Sequence, residues 1–174
     1  MILLNGPPAC GKSTLAQRYV DEHPLALNLD VDRVRSLLGR WRDERHAAGL
    51  LAREVALATA RAHLASGHDV VVPQLLGRLT FIEQLERLAG EVGATVHEIV
   101  LLDSLANVLR RHAERGRAMA DPPRAETRGS GVEDLSVMYD RLKAVIAARP
   151  GARIVHVEEG EVGLTYQAVL RNLL

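Results

Sequence analysis

With 174 residues and 47% hydrophobic content, the chain suits one domain, residues 1–174, built around one core. Lys+Arg and Asp+Glu balance at 22 each, which argues against a protein coated for nucleic-acid backbones, though not against a local basic patch. A single cysteine, Cys10, excludes an internal disulfide, and no apolar run approaches membrane-spanning length, so a cytoplasmic protein with no membrane partner is expected.

Aromatic residues make up only 3%, so the core must be packed with Leu, Val, Ala and Ile. The first core element is the apolar run Met1-Ile2-Leu3-Leu4-Asn5, which reads as a buried strand. It leads into Gly6-Pro7-Pro8-Ala9-Cys10-Gly11-Lys12-Ser13-Thr14, a match to the Walker A pattern G-x-x-x-x-G-K-[ST]. Leu15 to Val20 then opens a helix. A strand, this loop and a helix in succession form the context in which the pattern has physical meaning. The glycines let the backbone curl around an anion, and the free N–H groups at the positive end of the helix favour phosphate. Lys12 is placed to reach the β- and γ-phosphates, and the Ser13 hydroxyl is the expected ligand for Mg²⁺, which makes ATP and Mg²⁺ the expected cofactors. Cys10 reads as a permissive member of the loop, with oxidation sensitivity left open.

The first helix should end near Asp21-Glu22-His23, because Pro24 follows. Leu25 to Leu29 reads as a second strand that delivers Asp30-Val31-Asp32 to its C-terminal edge, the side of a parallel sheet where ligands bind. Asp32 precedes a helical run, Arg33 to Leu38, so it can serve as an N-cap. It can equally take a proton from an acceptor hydroxyl during phosphoryl transfer. Two carboxylates exceed what one cap requires, so a substrate or metal role is expected for Asp30 or Asp32.

The phosphate loop together with Asp32-x-x-Arg35 resembles the small P-loop kinases of the chloramphenicol phosphotransferase, zeta-toxin and gluconate-kinase kind. That resemblance implies that Asp32 contacts the acceptor hydroxyl as candidate base and that Arg35 lies near the substrate. It also implies the sheet order 2-3-1-4-5.

Gly39 to Asp43 should break the helix, and Ala47 to Ser66 repeats at helical spacing. Trp41 either lines an acceptor pocket or covers the sheet edge. Arg40-Trp41-Arg42 reads as a solvated helix end. Asp69 to Pro73 is a third, buried strand. Many phosphate-loop proteins carry a metal-organising acid at the end of such a strand, but here Pro73-Gln74 follows. Mg²⁺ would then rest on Ser13, phosphate oxygens, water and one of Asp30 and Asp32. Gln74 is placed to touch substrate. Arg78, opening the helix Leu79 to Ala89, either binds an acceptor group or lies on the surface.

Thr95 to Leu102 is a fourth strand ending at Asp103, followed by a helix with Arg110, Arg111, Arg115 and Arg117. Small kinases place arginines here in a lid over the phosphates, so a lid within 110–130 is expected. Three- and four-residue spacing puts Arg111 and Arg115 on one face, and these are the preferred catalytic pair. Residues 118–131 read as an irregular lid segment or hinge, and Val132 to Ala148 as a helix. Arg153 to Val157 is a last strand with His156 in a packing role, and Val162 to Leu173 a last helix. Glu158-Glu159, at the nucleotide end of that strand, has no evident partner.

Alternation of strands and helices behind a phosphate loop gives a three-layer α/β P-loop NTPase fold, nucleoside-monophosphate-kinase-like, with a five-stranded parallel sheet. The expected activity is ATP-dependent phosphorylation of a hydroxyl on a small molecule. Lys12, Arg111 and Arg115 would serve the phosphates, Asp32 the nucleophile, and Asp30, Asp32, Arg35, Gln74 and Arg78 the acceptor. The rivals are a nucleotide or nucleoside kinase, a nucleic-acid 5′-hydroxyl kinase, disfavoured by the zero net charge, and a non-catalytic ATP-binding module. Neither the acceptor nor the oligomeric state is fixed by the sequence.

Overall fold

β1 (Ile2–Asn5) is buried along its whole length, as its unbroken apolar run requires of a central parallel strand. The computed structural model describes residues 1–118 and 132–173. In chain order β1 is followed by α1 (Lys12–Glu22), β2 (Leu27–Asn28), α2 (Val31–Ser36), α3 (Arg45–Ala65), β3 (Val70–Pro73), α4 (Leu79–Glu91), β4 (His97–Leu102), α5 (Leu105–Ala118), α6 (Val132–Ala148), β5 (Arg153–His156) and α7 (Val162–Arg171). The five strands form one parallel sheet in the order β2-β3-β1-β4-β5, as the resemblance implied.

Alternate residues of each strand face opposite sides of the sheet, and they build two cores. On one side Leu3, Val70 and Val72 pack with Ala52, Ala56, Ala60 and Leu64 of α3 and with Ile82, Leu85 and Ala89 of α4. The alanines recur every fourth residue and give α3 a flat face on the sheet. On the other side Ile2, Leu4, Val71, Ile99 and Leu101 pack with Leu15, Ala16 and Tyr19 of α1 and with Tyr166 and Val169 of α7. Asp69 lies at the opposite end of β3 from the phosphate loop, and there it accepts a hydrogen bond from the Tyr19 hydroxyl at 2.8 Å.

Two readings need correction. β2 is shorter than Leu25 to Leu29, because Leu25 adopts a left-handed φ of 61° just after Pro24 and lies 69% exposed. Only Leu27–Asn28 forms the strand, although Leu29 N–H still donates to Val71 O at 2.8 Å. His156 does not pack. β5 is an edge strand in which only Val155 is buried, with Ile154 and His156 exposed on either side of it.

α6 is tied to the sheet at two points. Its Tyr139 hydroxyl donates to the Asp103 carbonyl at 2.7 Å. Arg149, just past its end, pairs with Glu86 of α4 and with Glu98 of β4, which is almost wholly buried.

Candidate active site

The phosphate loop springs from β1 through a glycine that no other residue can replace in this geometry. Gly6 has φ 147°, and a Cβ there would lie 2.4 Å from the Leu101 carbonyl oxygen and 2.9 Å from Cys10 Sγ. Gly11, in the left-handed region at φ 91°, turns the chain into α1, whose first residue is Lys12. Lys12 Nζ donates to Gly6 O at 2.9 Å and to Pro7 O at 2.6 Å, which holds it across the loop mouth. Cys10 is 2% exposed, and its thiol lies 3.7 Å from Lys12 Nζ. A thiol so enclosed is poorly placed for oxidation.

Ala9, Gly11, Lys12, Ser13 and Thr14 form one wall of a cavity of about 440 Å³. Arg111, Glu114 and Glu159 form the other wall. Arg111 Nη2 pairs with Asp103 Oδ2, with both side chains largely buried. Its neighbour Arg110 turns away to Glu159, donating through both terminal nitrogens, and to Glu114 at 3.2 Å. The Arg110 guanidinium holds the Glu159 carboxyl below the usual carboxylate range, and Glu159, with Glu114 behind it, raises the Arg110 pKa in return. Glu159 thus has the partner that its sequence context did not reveal. The side chains of Arg115 and Arg117, and residues 119–130 of the expected lid, lie outside the described residues.

At the start of α2 the cap falls to Asp30 and not to Asp32. Asp30 Oδ1 accepts from the Asp32 N–H at 2.9 Å and the Arg33 N–H at 3.3 Å, so it satisfies the first amides of α2. Asp32, the second residue of α2, keeps its side chain for other contacts. Asp32 Oδ1 pairs with Arg35 Nη2 at 3.0 Å, and Oδ2 accepts from Gln74 Nε2 at 3.4 Å. Asp32, Arg35 and Gln74 therefore meet, although Gln74 is 42 residues from Asp32 in sequence. Trp41 is half-buried between two guanidinium groups. The Arg35 guanidinium sits over its ring at 5.0 Å and that of Arg42 at 4.7 Å. Arg40 is paired with Asp43 at 2.9 Å. Arg78 is exposed at the start of α4 and forms no hydrogen bond or ion pair with this trio among the described residues.

One contributor escaped the sequence reading. Asn5, wholly buried at the end of β1, accepts from the Gly6 N–H and the Leu76 N–H, each at 2.8 Å, and donates to Leu76 O at 3.2 Å. It joins the root of the phosphate loop to the segment that carries Gln74. A polar residue closing an apolar strand was the available signal.

Asn5→Ala leaves two buried amides without acceptors, a loss of roughly 2–6 kcal/mol at the usual cost of such groups. Urea unfolding is expected to show that loss, together with weakened ATP binding. Unchanged stability would mean that the Leu76 segment closes onto another partner.

Among the described residues no group of three His, Cys, Asp or Glu side chains is arranged to hold a metal ion. The exposed Ser13 at the cavity fits a cation that is held mainly through phosphate oxygens.

Sheet order, phosphate loop and flanking helices define a three-layer P-loop NTPase fold of the kind found in several small-molecule kinases. The chain belongs to the AAA domain family, whose model matches residues 1–129. It is similar in structure to a kinase candidate of Chloroflexus aurantiacus J-10-fl, with TM-score 0.68 and 21% identity over 99% of this chain and 94% of that one. It is also similar to a gluconokinase from Sinorhizobium meliloti 1021, with TM-score 0.62 and 17% identity over 99% and 91% of the two chains. A third likeness is to a chain of the Pnkp1/Rnl/Hen1 RNA repair complex, with TM-score 0.63 and 15% identity over 84% of this chain and 45% of that one. At these identities the likeness is one of fold. No curated protein matches the sequence. Among the described residues no helix is long and apolar enough to cross a membrane.

Proposed function

We propose that residues 1–174 form a single kinase domain that transfers the γ-phosphoryl group of ATP to a hydroxyl of a small molecule. The observation that carries this reading is the Asp32–Gln74 contact on a segment bonded directly to the phosphate-loop root. A module that only binds ATP has no use for a carboxylate held there. The likeness to a gluconokinase and the Asp32-x-x-Arg35 element support the narrower kinship with hydroxyl kinases of the chloramphenicol phosphotransferase and zeta-toxin kind.

In this mechanism the loop amides and Lys12 bind the β- and γ-phosphates, and Arg111 approaches from the opposite wall. Mg²⁺ held by Ser13 and phosphate oxygens would offset further charge. Asp32 accepts the proton of the attacking hydroxyl as the new P–O bond forms and the bond to the β-phosphate oxygen breaks, leaving ADP and a phosphate ester. Arg35 and Gln74 hold the carboxylate in line, with Arg78 at the acceptor mouth. The expected contribution of Arg115 and of a lid within 110–130 falls largely outside the described residues. A cytoplasmic location fits an enzyme that draws on ATP.

The likeness to a chain of an RNA repair complex favours a second reading, in which the acceptor is a nucleic-acid 5′-hydroxyl. One experiment separates the readings. ADP formation is followed with ATP or GTP against sugars, sugar acids, nucleosides, nucleoside monophosphates, hydroxylated antibiotics and a 5′-hydroxyl oligonucleotide. Emission of Trp41, the only tryptophan, reports acceptor binding through Arg35. The expected result is turnover dependent on one small-molecule class. Turnover with the oligonucleotide alone selects the second reading, and ATP binding without any acceptor-dependent turnover selects a regulatory module.

A further inference from the structure

We propose that Asp103 is a positioning residue that aims Arg111 at the phosphates of ATP. The proposal rests on reading the cavity beside Lys12 as the ATP phosphate site.

Asp103 is fixed from three directions. Its Oδ1 accepts from the Ser104 N–H at 2.6 Å and from Asn107 Nδ2 at 2.9 Å. Its carbonyl accepts from the Tyr139 hydroxyl of α6. Those bonds complete the start of α5 and leave Oδ2 for one partner, Arg111. The carboxylate is therefore an anchor held by several bonds, with 6% of its side chain exposed.

Arg111 lies two helical turns beyond Asp103. Side chains of a helix lean toward its N-terminus, so Arg111 reaches back toward the sheet edge, where the phosphate loop begins. Asp103 takes one terminal nitrogen of the guanidinium. Nε has no partner among the described residues, and the group forms part of the cavity wall facing Lys12, Ser13 and Thr14. A planar guanidinium held at one edge can present another edge to phosphate oxygens.

The alternatives open to Arg111 explain why an anchor is needed. Glu114 and Glu159 line the same cavity. Arg110 occupies both of them, and an unanchored Arg111 would compete for them or turn to solvent. Asp103 thereby decides which of two adjacent arginines faces the phosphates.

The test is a double-mutant cycle on the full chain, with Asp103→Asn and Arg111→Gln read by calorimetric binding of ATP and AMP and by acceptor-independent ATP hydrolysis. The asparagine keeps an oxygen for the Ser104 amide but removes the charge that holds the guanidinium. ATP binding is expected to weaken roughly tenfold, the effect of one charge-assisted contact, with AMP binding changed less than about twofold. In the Arg111→Gln background, Asp103→Asn should then add nothing. Equal losses in both backgrounds, equal losses for ATP and AMP, or full ATP affinity in folded Asp103→Asn would each overturn the proposal. Should Asp103→Asn not fold, Asp103→Glu replaces it. That variant keeps the ion pair but displaces the guanidinium, so the same ATP-selective loss is expected, and its persistence in Arg111→Gln overturns the idea. If the wild-type chain binds no ATP, the reading of the cavity fails and this proposal fails with it. That outcome is distinct from every result of the cycle.

Discussion

Lys12→Ala is expected to lower ATP turnover by roughly 10³-fold or more while the protein remains folded, because the lost charge is aimed at the transferring phosphate. Lys12 Nζ donates to Gly6 O and Pro7 O, two carbonyls of the phosphate loop itself. Its proposed contribution is to the nucleotide complex and not to the fold. Both contacts are only partly buried, and water can replace the ammonium at the two carbonyls. Steady-state rates together with a thermal melt check this. Wild-type turnover in a folded Lys12→Ala protein would remove Lys12 from the catalytic machinery.

The second large effect is expected at Asp32. Asp32→Asn preserves the size of the side chain and loses its charge. The amide oxygen can still accept from Arg35, and the amide N–H₂ can donate to Gln74 Oε1, which is buried without a partner among the described residues. The local structure should therefore survive. ATP affinity is expected to stay near wild type, while transfer falls by roughly 10²–10⁴-fold, the range for loss of a general base. Asp30→Asn is the matched control. Asparagine caps a helix about as well as aspartate, so the two amide bonds at the start of α2 persist and transfer should remain near normal. Near-normal transfer by Asp32→Asn would end the general-base assignment. Loss of Mg²⁺-dependent ATP binding along with transfer would move Asp32 to the metal side of the site.

What could be read from the sequence was what is local in it. The phosphate loop is one contiguous run whose geometry follows from two glycines and a lysine, and the strand before it and the helix after it announce themselves by periodicity. Asp32 could be singled out because a strand end in a parallel sheet has a known orientation. The division of labour between Asp30 and Asp32 could not, because either residue can cap a helix and the choice depends on where α2 starts. The strand order came from resemblance, since spacing alone does not say which strand pairs with which. Partners brought together by folding could not be paired from the sequence, even where one of them, Asn5, stood out as a polar residue closing an apolar strand. Glu159 finds Arg110 across 49 residues and Asn5 finds Leu76 across 71. The shortened β2 was hidden for a different reason. Leu25 extends the apolar run that reads as a strand, but its backbone has a left-handed φ of 61°.

Under the proposed function, the joint at Asn5 would bear on how ATP and the acceptor sense each other. Gln74 touches Asp32 through its side chain, its own N–H donates to Leu4 O at 3.1 Å, and Leu76, two residues on, is clamped by Asn5, which also holds the Gly6 amide. On that reading, an acceptor that displaces Gln74 from Asp32 would pull on the same short stretch of chain that sets the phosphate-loop amides. Occupancy of one side would then change the free energy of occupying the other by some factor. Thermodynamic reciprocity makes that factor identical in both directions: however much an acceptor tightens ATP, ATP must tighten the acceptor by the same ratio.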